Sequence, residues 1–324
     1  MCTAITYKTD SSYFGRNLDL EYCYNESVTI TPRNYPLKFR HNQALTSHYA
    51  IVGMAYVVNG YPLYYDAINE MGVGVAGLSF AGNANYVKIE NGKDNITPFE
   101  LIPWILGRCK NVSEAKTLIE HLNIIDENFS KELPNTPLHW MICDKKETIV
   151  LEQTKDALRV YGNPVGVLTN NPEFDYQMFF LNNFMNITAD EAENRFDPNT
   201  ALTNYSNGMG AIGLPGDVSS MSRFVRGSFV KLNSISGTSE KESVSQFFHI
   251  LSSVEQTRGC VRLKDNKYET TVYSSCCNLD KGIYYYKTYG NHQITAIDMH
   301  KENLEGNKLI GYELISDEQI RYVN

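Results

Sequence analysis

Apolar and polar side chains alternate with a period of two at the start of the chain. The pattern returns after each of two blocks of helical periodicity, so any fold must be built mainly from strands. Residues 3–7 and 28–31 alternate in this way, and two further β-rich runs cover 49–58 and 73–80. Gly72, Gly74 and Gly77 in and beside the last run weaken a strand interior but permit close backbone approach, which predicts something packed tightly against it. The texture changes at Pro98, suited to a first helical turn, with Phe99, Leu101, Ile102, Ile105 and Leu106 following at helical spacing. A second helix is predicted directly after it, capped by Ser113, with Ala115, Leu118, Ile119 and Leu122 on one face. Strand texture resumes at 138–143, 148–151, 157–161 and 166–169, whereas 171–220 is rich in Asn, Asp, Gly and Pro and reads as loops or short irregular elements. Helices are expected from about Ser222 and over 244–254, and strands at 270–274, 282–287 and 293–299 close the chain. With no internal repeat and no linker-like stretch, residues 2–324 read as one domain. The order suits an α+β fold of two antiparallel sheets face to face with helix layers outside, though other α+β layouts fit it as well.

Charge and cysteine usage narrow the function. A net charge of −8 without a Lys/Arg cluster argues against a nucleic-acid partner. No apolar run reaches the roughly 18 residues a membrane span needs, and 1–10 lacks the basic-then-apolar pattern of a cleaved signal, so a cytoplasmic location without membrane insertion is expected. The seven cysteines are odd in number and irregularly spaced, and most of them read as buried thiols in a reducing compartment, Cys109 among them. Cys276-Cys277 is not a C-x-x-C motif and no ligand set is visible, so neither metal nor cofactor is expected.

Cys2 is the most informative single residue. Removal of Met1 would leave a thiol and a free α-amine on one residue, a nucleophile carrying its own base. With reference pKa values of about 8.5 and 7.7–8.0, neither group needs a large shift for proton transfer near neutral pH. Phe14-Gly15-Arg16-Asn17-Leu18-Asp19 lies a short hairpin away. There Arg16 would favour the thiolate and Asp19 would orient the amine, although a surface ion pair beside a turn has the same spacing.

Met1-Cys2-Thr3-Ala4, the Phe14 to Asp19 run, Asn69-Glu70-Met71-Gly72, Leu138-His139-Trp140, Gly166-Val167-Leu168-Thr169-Asn170, Gly213-Leu214-Pro215-Gly216-Asp217 and Ser222-Arg223-Phe224 occur in a telling order. Together with Gly282-Ile283-Tyr284-Tyr285-Tyr286 and Ile297-Asp298-Met299, this resembles the choloylglycine hydrolases from end to end, bacterial bile salt hydrolases most closely. The resemblance implies a four-layer αββα N-terminal-nucleophile hydrolase sandwich and a cytoplasmic bacterial homotetramer. The implied reaction is hydrolysis of glycine- or taurine-conjugated bile salts through a Cys2 thioester.

It also implies roles for residues: Cys2 as nucleophile, Arg16 and Asp19 as its electrostatic and orienting partners, and Arg223 as a further active-site arginine. The Asn170 side chain and the Ser79 backbone N–H would hold the oxyanion. From spacing alone, Asn170 fits a turn and Arg223 a solvated helix residue. Ser79 departs from the family pattern, because bile salt hydrolases usually carry Asn at that place and penicillin V acylases Tyr. Leu18, Val58, Tyr65, Phe129, Leu133 and Leu138 are the expected apolar pocket, each of which a plain core role would also explain. Competing readings are an amidase acting on penicillin V or an acyl-homoserine lactone, a Cys-His hydrolase using His139, and a binding protein that has lost turnover.

Overall fold

The computed structural model describes residues 1–324. Strands β1 (Cys2–Lys8) and β2 (Ser12–Leu20) form a hairpin, followed by β3 (Ser27–Thr31), β4 (Ile51–Val58), β5 (Tyr61–Asn69) and β6 (Gly74–Ser79). A short strand β7 (Asp94–Ile96) leads into helices α1 (Leu101–Leu106) and α2 (Val112–Ile119) and pairs in parallel with β8 (Leu122–Ile124). Then come β9 (Leu138–Cys143), β10 (Thr148–Gln153), β11 (Leu158–Gly162), β12 (Val167–Leu168), and helices α3 (Phe174–Phe180), α4 (Ser220–Asn233) and α5 (Glu240–Ser252). Strands β13 (Thr270–Asn278), β14 (Ile283–Thr288), β15 (Asn291–Asp298) and β16 (Ile310–Glu313) end the fold.

Two large antiparallel sheets result, ordered β12-β1-β2-β13-β14-β15 and β11-β10-β9-β6-β5-β4-β3-β16. In the second sheet, Trp140 and Ile142 of β9 pack on the core shared with α1 and α2, while Met141 and Cys143 face the first sheet. Ile149 and Leu151 of β10 alternate with Val150 in the same way. Strands buried on both faces in this manner require a layer on each side. The outer face of the first sheet is covered by α4 and α5, whose Phe224, Phe247 and Leu251 belong to its core. The order of layers is therefore helices, sheet, sheet, helices, the αββα arrangement expected from the resemblance.

The glycine run behaves as its sequence implied. A Cβ on Gly74 would stand 2.6 Å from Cδ1 of Phe14, which crosses from the facing sheet. Two strands lack the expected alternation and were not predicted from periodicity: β2, inward on both faces along almost its whole length, and β5, whose Tyr61, Tyr64 and Tyr65 break it. Helix α2 is capped by Asn111, whose Oδ1 accepts from the Glu114 N–H at 2.8 Å, and not by Ser113, which lies inside the helix. Leu122 belongs to β8, and Pro98 and Phe99 precede α1, which starts after Glu100. The expected loop region contains one ordered helix, α3.

Candidate active site

Antiparallel pairing of β1 with β2 sets Cys2 opposite Leu18 and Ala4 opposite Arg16. Cross-strand partners share a face, so the Cys2 thiol and the Arg16 side chain both point between the sheets, while Asp19 points to the other face. Cys2 is 3% exposed, and Arg16, Asp19 and Arg223 are fully buried. Arg16 reaches across the sandwich, where Nη1 donates to the carbonyls of Tyr65 at 3.0 Å and Gly77 at 2.5 Å, and Nη2 has no partner. Burial opposes its charge, but the thiol of Cys2, the Tyr273 hydroxyl and the carboxyls of Asp66 and Asp19 outweigh that and hold the guanidinium firmly protonated.

On the other side of Cys2, its backbone N–H donates to Oδ1 of Asn170 at 2.8 Å. Arg223 organises the same corner. Its Nη1 donates to the Cys2 carbonyl at 2.5 Å and to Thr3 Oγ1 at 2.6 Å, and its Nη2 to Asn170 Oδ1 at 2.7 Å. With its acceptor oxygen fixed in this way, the Asn170 amide must aim Nδ2 elsewhere, and Nδ2 donates to the Ser79 carbonyl at 2.8 Å. One Nδ2 hydrogen remains. The Ser79 N–H projects from the same edge of β6 as its carbonyl, because the N–H and C=O of one strand residue point the same way.

Asp19 Oδ1 accepts from Thr271 Oγ1 at 2.6 Å, and Oδ2 is buried without a hydrogen bond, 4.0 Å from Arg223 Nη1. Burial raises its carboxyl above the usual range, against the pull of Arg223. With Met1 present, the terminal ammonium donates to the Asp19 carbonyl at 2.8 Å and pairs with Glu269, and burial lowers its pKa.

Two supporting residues escaped the sequence reading. Gln177 Nε2 donates to the carbonyls of Asn170 at 2.5 Å and Pro172 at 2.7 Å, and Ser220 Oγ accepts from the Asn170 N–H at 2.8 Å. His139 is fully buried against Phe80, with Nδ1 bonded to Glu152 at 2.9 Å and Nε2 donating to the Thr169 carbonyl at 2.9 Å. Nε2 holds the residue before Asn170 and Nδ1 is committed to Glu152, so His139 has no ring nitrogen to offer a cysteine as a base. Burial pushes the Cys109 thiol up to about 12 and those of Cys143, Cys276 and Cys277 well above their ordinary value, which makes them inert. No three His, Cys, Asp or Glu side chains converge where they could share an ion.

A cavity of about 470 Å³ opens beside this cluster. Tyr65 and Gly77, whose carbonyls hold Arg16, are part of its wall, which places Arg16 against that wall. Of the expected pocket residues, Tyr65, Phe129, Leu133 and Leu138 line it. Leu18 and Val58 do not: Leu18 packs in the inter-sheet core, and Val58 ends β4 outside the wall. Tyr22, Tyr24, Tyr56, Leu63 and Phe99 line it without having been predicted. Arg40 clips the Phe129 loop in place, with its guanidinium 5.0 Å from the Phe99 ring centre and Nη1 donating to the Asn128 carbonyl at 2.6 Å.

Residues 2–312 match the linear amide C–N hydrolases of the choloylglycine hydrolase family. The chain is 56% identical over its full length to the full-length bile salt hydrolase/transferase of Lactiplantibacillus plantarum, and 40% identical, again over the whole of both chains, to that of Clostridium perfringens. The crystal structure of the mutant C2A conjugated bile acid hydrolase from Clostridium perfringens superposes with a TM-score of 0.92 at 40% identity, covering 100% of both chains. Penicillin V acylase from Agrobacterium tumefaciens shares the fold, with a TM-score of 0.76 at 18% identity over 97% of this chain and 92% of its own.

Proposed function

This chain belongs to the choloylglycine hydrolase family of linear amide C–N hydrolases, and we propose that the amide it cuts joins a bile acid to glycine or taurine. The observation that carries the reading is the convergence around Cys2 of Arg16 from between the sheets, Asn170 from the end of β12 and Arg223 from α4, beside a cavity walled by aromatic and aliphatic side chains. Relatives named for bile salt hydrolysis at 56% and 40% identity support the substrate class.

In the proposed mechanism Met1 is removed and the freed α-amine of Cys2 takes the thiol proton. The thiolate attacks the amide carbonyl carbon, and the resulting oxyanion accepts hydrogen bonds from the remaining Nδ2 hydrogen of Asn170 and from the Ser79 N–H. Substitution of Ser for the family's usual Asn at Ser79 leaves that backbone donor in place. The carbon–nitrogen bond then breaks, the α-ammonium protonates the departing amine, and the acyl group stays on sulfur as a thioester. The same amine next deprotonates a water, which attacks the thioester, releases the bile acid and returns the proton to Cys2. Arg16 stabilises the thiolate in both halves, while Arg223 fixes the Cys2 carbonyl and the Asn170 amide without touching the substrate.

Incubation with glycocholate, taurocholate and penicillin V side by side, scoring free amino acid and 6-aminopenicillanic acid, tests the assignment. Turnover of penicillin V alone would move it to the acylase subgroup, and binding without turnover would make it a binding protein. We further place the protein in the bacterial cytoplasm as a homotetramer. No helix is long and apolar enough to cross a membrane, and Phe179, Met185, Phe196 and Tyr205 leave apolar surface open to a second copy.

A further inference from the structure

Asp66, on β5, is fully buried between the sheets, and its carboxyl takes three hydroxyl donors from the opposite sheet. Tyr273 donates to Oδ1, while Tyr284 at 2.8 Å and Ser275 at 2.9 Å donate to Oδ2. Ser275 Oγ also accepts the backbone N–H of Arg16 at 3.1 Å, so one hydroxyl joins Asp66 to the arginine. The carbonyl immediately before Asp66, that of Tyr65, accepts from Arg16 Nη1. Both ends of Arg16 are therefore anchored in the immediate surroundings of Asp66.

Charge counting leads to the same residue. Arg16, Arg223, Asp19 and Asp66 are all fully buried. Asp19 leans on Arg223, with Oδ2 at 4.0 Å from Nη1. This leaves Asp66 as the carboxylate that balances Arg16, and a buried guanidinium without an anion is strongly disfavoured. We infer that Asp66 is a positioning residue for the Cys2 chemistry, fixing Arg16 and setting the charge balance in which the thiol ionises.

The inference rests on Cys2 being the nucleophile. Around Asp66, burial keeps Tyr273 and Cys277 of β13 and Tyr284 of β14 neutral, and Glu26, just ahead of β3, is the other carboxyl near Tyr273. Burial raises the Asp66 carboxyl itself, while Arg16 and the three hydroxyls pull it back. Around Cys2 stand Arg16, Asp19 and Arg223. A negative charge beside Arg16 weakens its hold on a thiolate, so Asp66 tempers the pull of Arg16 on the Cys2 sulfur.

The test is the rate at which iodoacetamide alkylates Cys2 in the full-length protein, read by peptide mass from pH 5 to 10. In Asp66→Asn, which keeps the shape and removes the charge, the midpoint of the profile is expected to fall by about one pH unit. A folded Asp66→Asn with the wild-type midpoint would overturn the inference, because a purely structural role changes stability and leaves the midpoint in place. If Asp66→Asn does not fold, Ser275→Ala decides: it keeps the charge and cuts the link to Arg16. Its plateau rate is expected to drop about two- to fivefold with the midpoint held, and a wild-type rate would refute the positioning. Alkylation needs no bile salt, so failure of the substrate assignment would show separately as wild-type protein that alkylates normally and turns over no conjugate.

Discussion

Oδ1 of Asn170 stands 2.8 Å from the backbone nitrogen of Cys2, across 168 residues of sequence. This contact turns the Asn170 amide so that Nδ2 faces Ser79, and it places on one side chain both an acceptor for the Cys2 nitrogen and the donor proposed for the oxyanion. Asn170→Ala removes both. The expected result is a fall in kcat of about 10²–10³ with little change in KM. Steady-state kinetics on glycocholate, with circular dichroism to check the fold, measure it.

Active enzyme is expected to begin at Cys2. Asp19 Oδ2 is buried without a hydrogen bond while Met1 is present, and an orphaned carboxylate oxygen needs a donor. A Cys2 α-ammonium has three hydrogens where the amide has one, and so can supply it. Intact mass reads the outcome directly, and full activity with Met1 retained would contradict the proposed base.

Cys2→Ser is expected to fold and to lose activity by on the order of a hundredfold or more, because a hydroxyl forms far less of its anion near neutral pH than a thiol does. Cys109→Ser should stay within about twofold of wild type, since burial holds that thiol protonated. Equal losses in the two variants would remove the special role of Cys2.

The chemistry of this site was more legible in the sequence than its support. Cys2, Arg16, Asp19, Asn170 and Arg223 were named from motifs, and the structure brings all five together. Of the groups that hold them, His139 is legible as a strand histidine, but Gln177 and Ser220 are not, because they act through a backbone carbonyl and N–H brought near only by the tertiary fold. For the fold, alternation found strands such as β1 and β3 but not β2, which is inward on both faces and so has no polar half to alternate with. Leu18 reads as a pocket residue from its register with the family motifs. Its side chain packs in the inter-sheet core instead, and part of the aromatic wall comes from Tyr22 and Tyr24, on a loop where periodicity carries no information, and from Phe99, whose helical spacing does not point to a pocket.

Lys231 supplies a pH-dependent stability test. Its ammonium donates to the Val165 carbonyl with no carboxylate nearby, and burial pushes its pKa from 10.5 down to about 8. Between those values the unfolded chain binds more protons than the folded one, so this lysine makes stability rise with pH across that window. At pH 7 it is charged in both states and destabilises the fold. The drop from 10.5 to about 8 corresponds to at most about 3 to 4 kcal/mol, less the hydrogen bond. Lys231→Met is therefore expected to gain about 1–2 kcal/mol at pH 7, with the gain shrinking from pH 8 to 10.5, as denaturant unfolding at several pH values would show.

Substrate choice should follow from the shape and lining of the cavity. At about 470 Å³, walled by Tyr56, Tyr65, Phe99, Phe129, Leu133 and Leu138 among others, it suits a rigid steroid, which has more apolar surface to bury than a phenoxyacetyl group. Each additional Å² removed from water is worth about 25 cal/mol before the costs of binding are subtracted. At equal subsaturating concentrations, conjugated bile salts are expected to turn over faster than penicillin V. Phe129 sits where this can be tested without disturbing Cys2, because it packs edge-on against Phe99 at 5.1 Å and takes no part in the Arg16 or Asn170 networks. Phe129→Ala should raise KM for glycocholate roughly tenfold, the equivalent of about 1.4 kcal/mol of lost contact, and leave kcat nearly unchanged. If kcat fell instead and KM held, Phe129 would be acting on the transition state and the steroid would have to lie elsewhere.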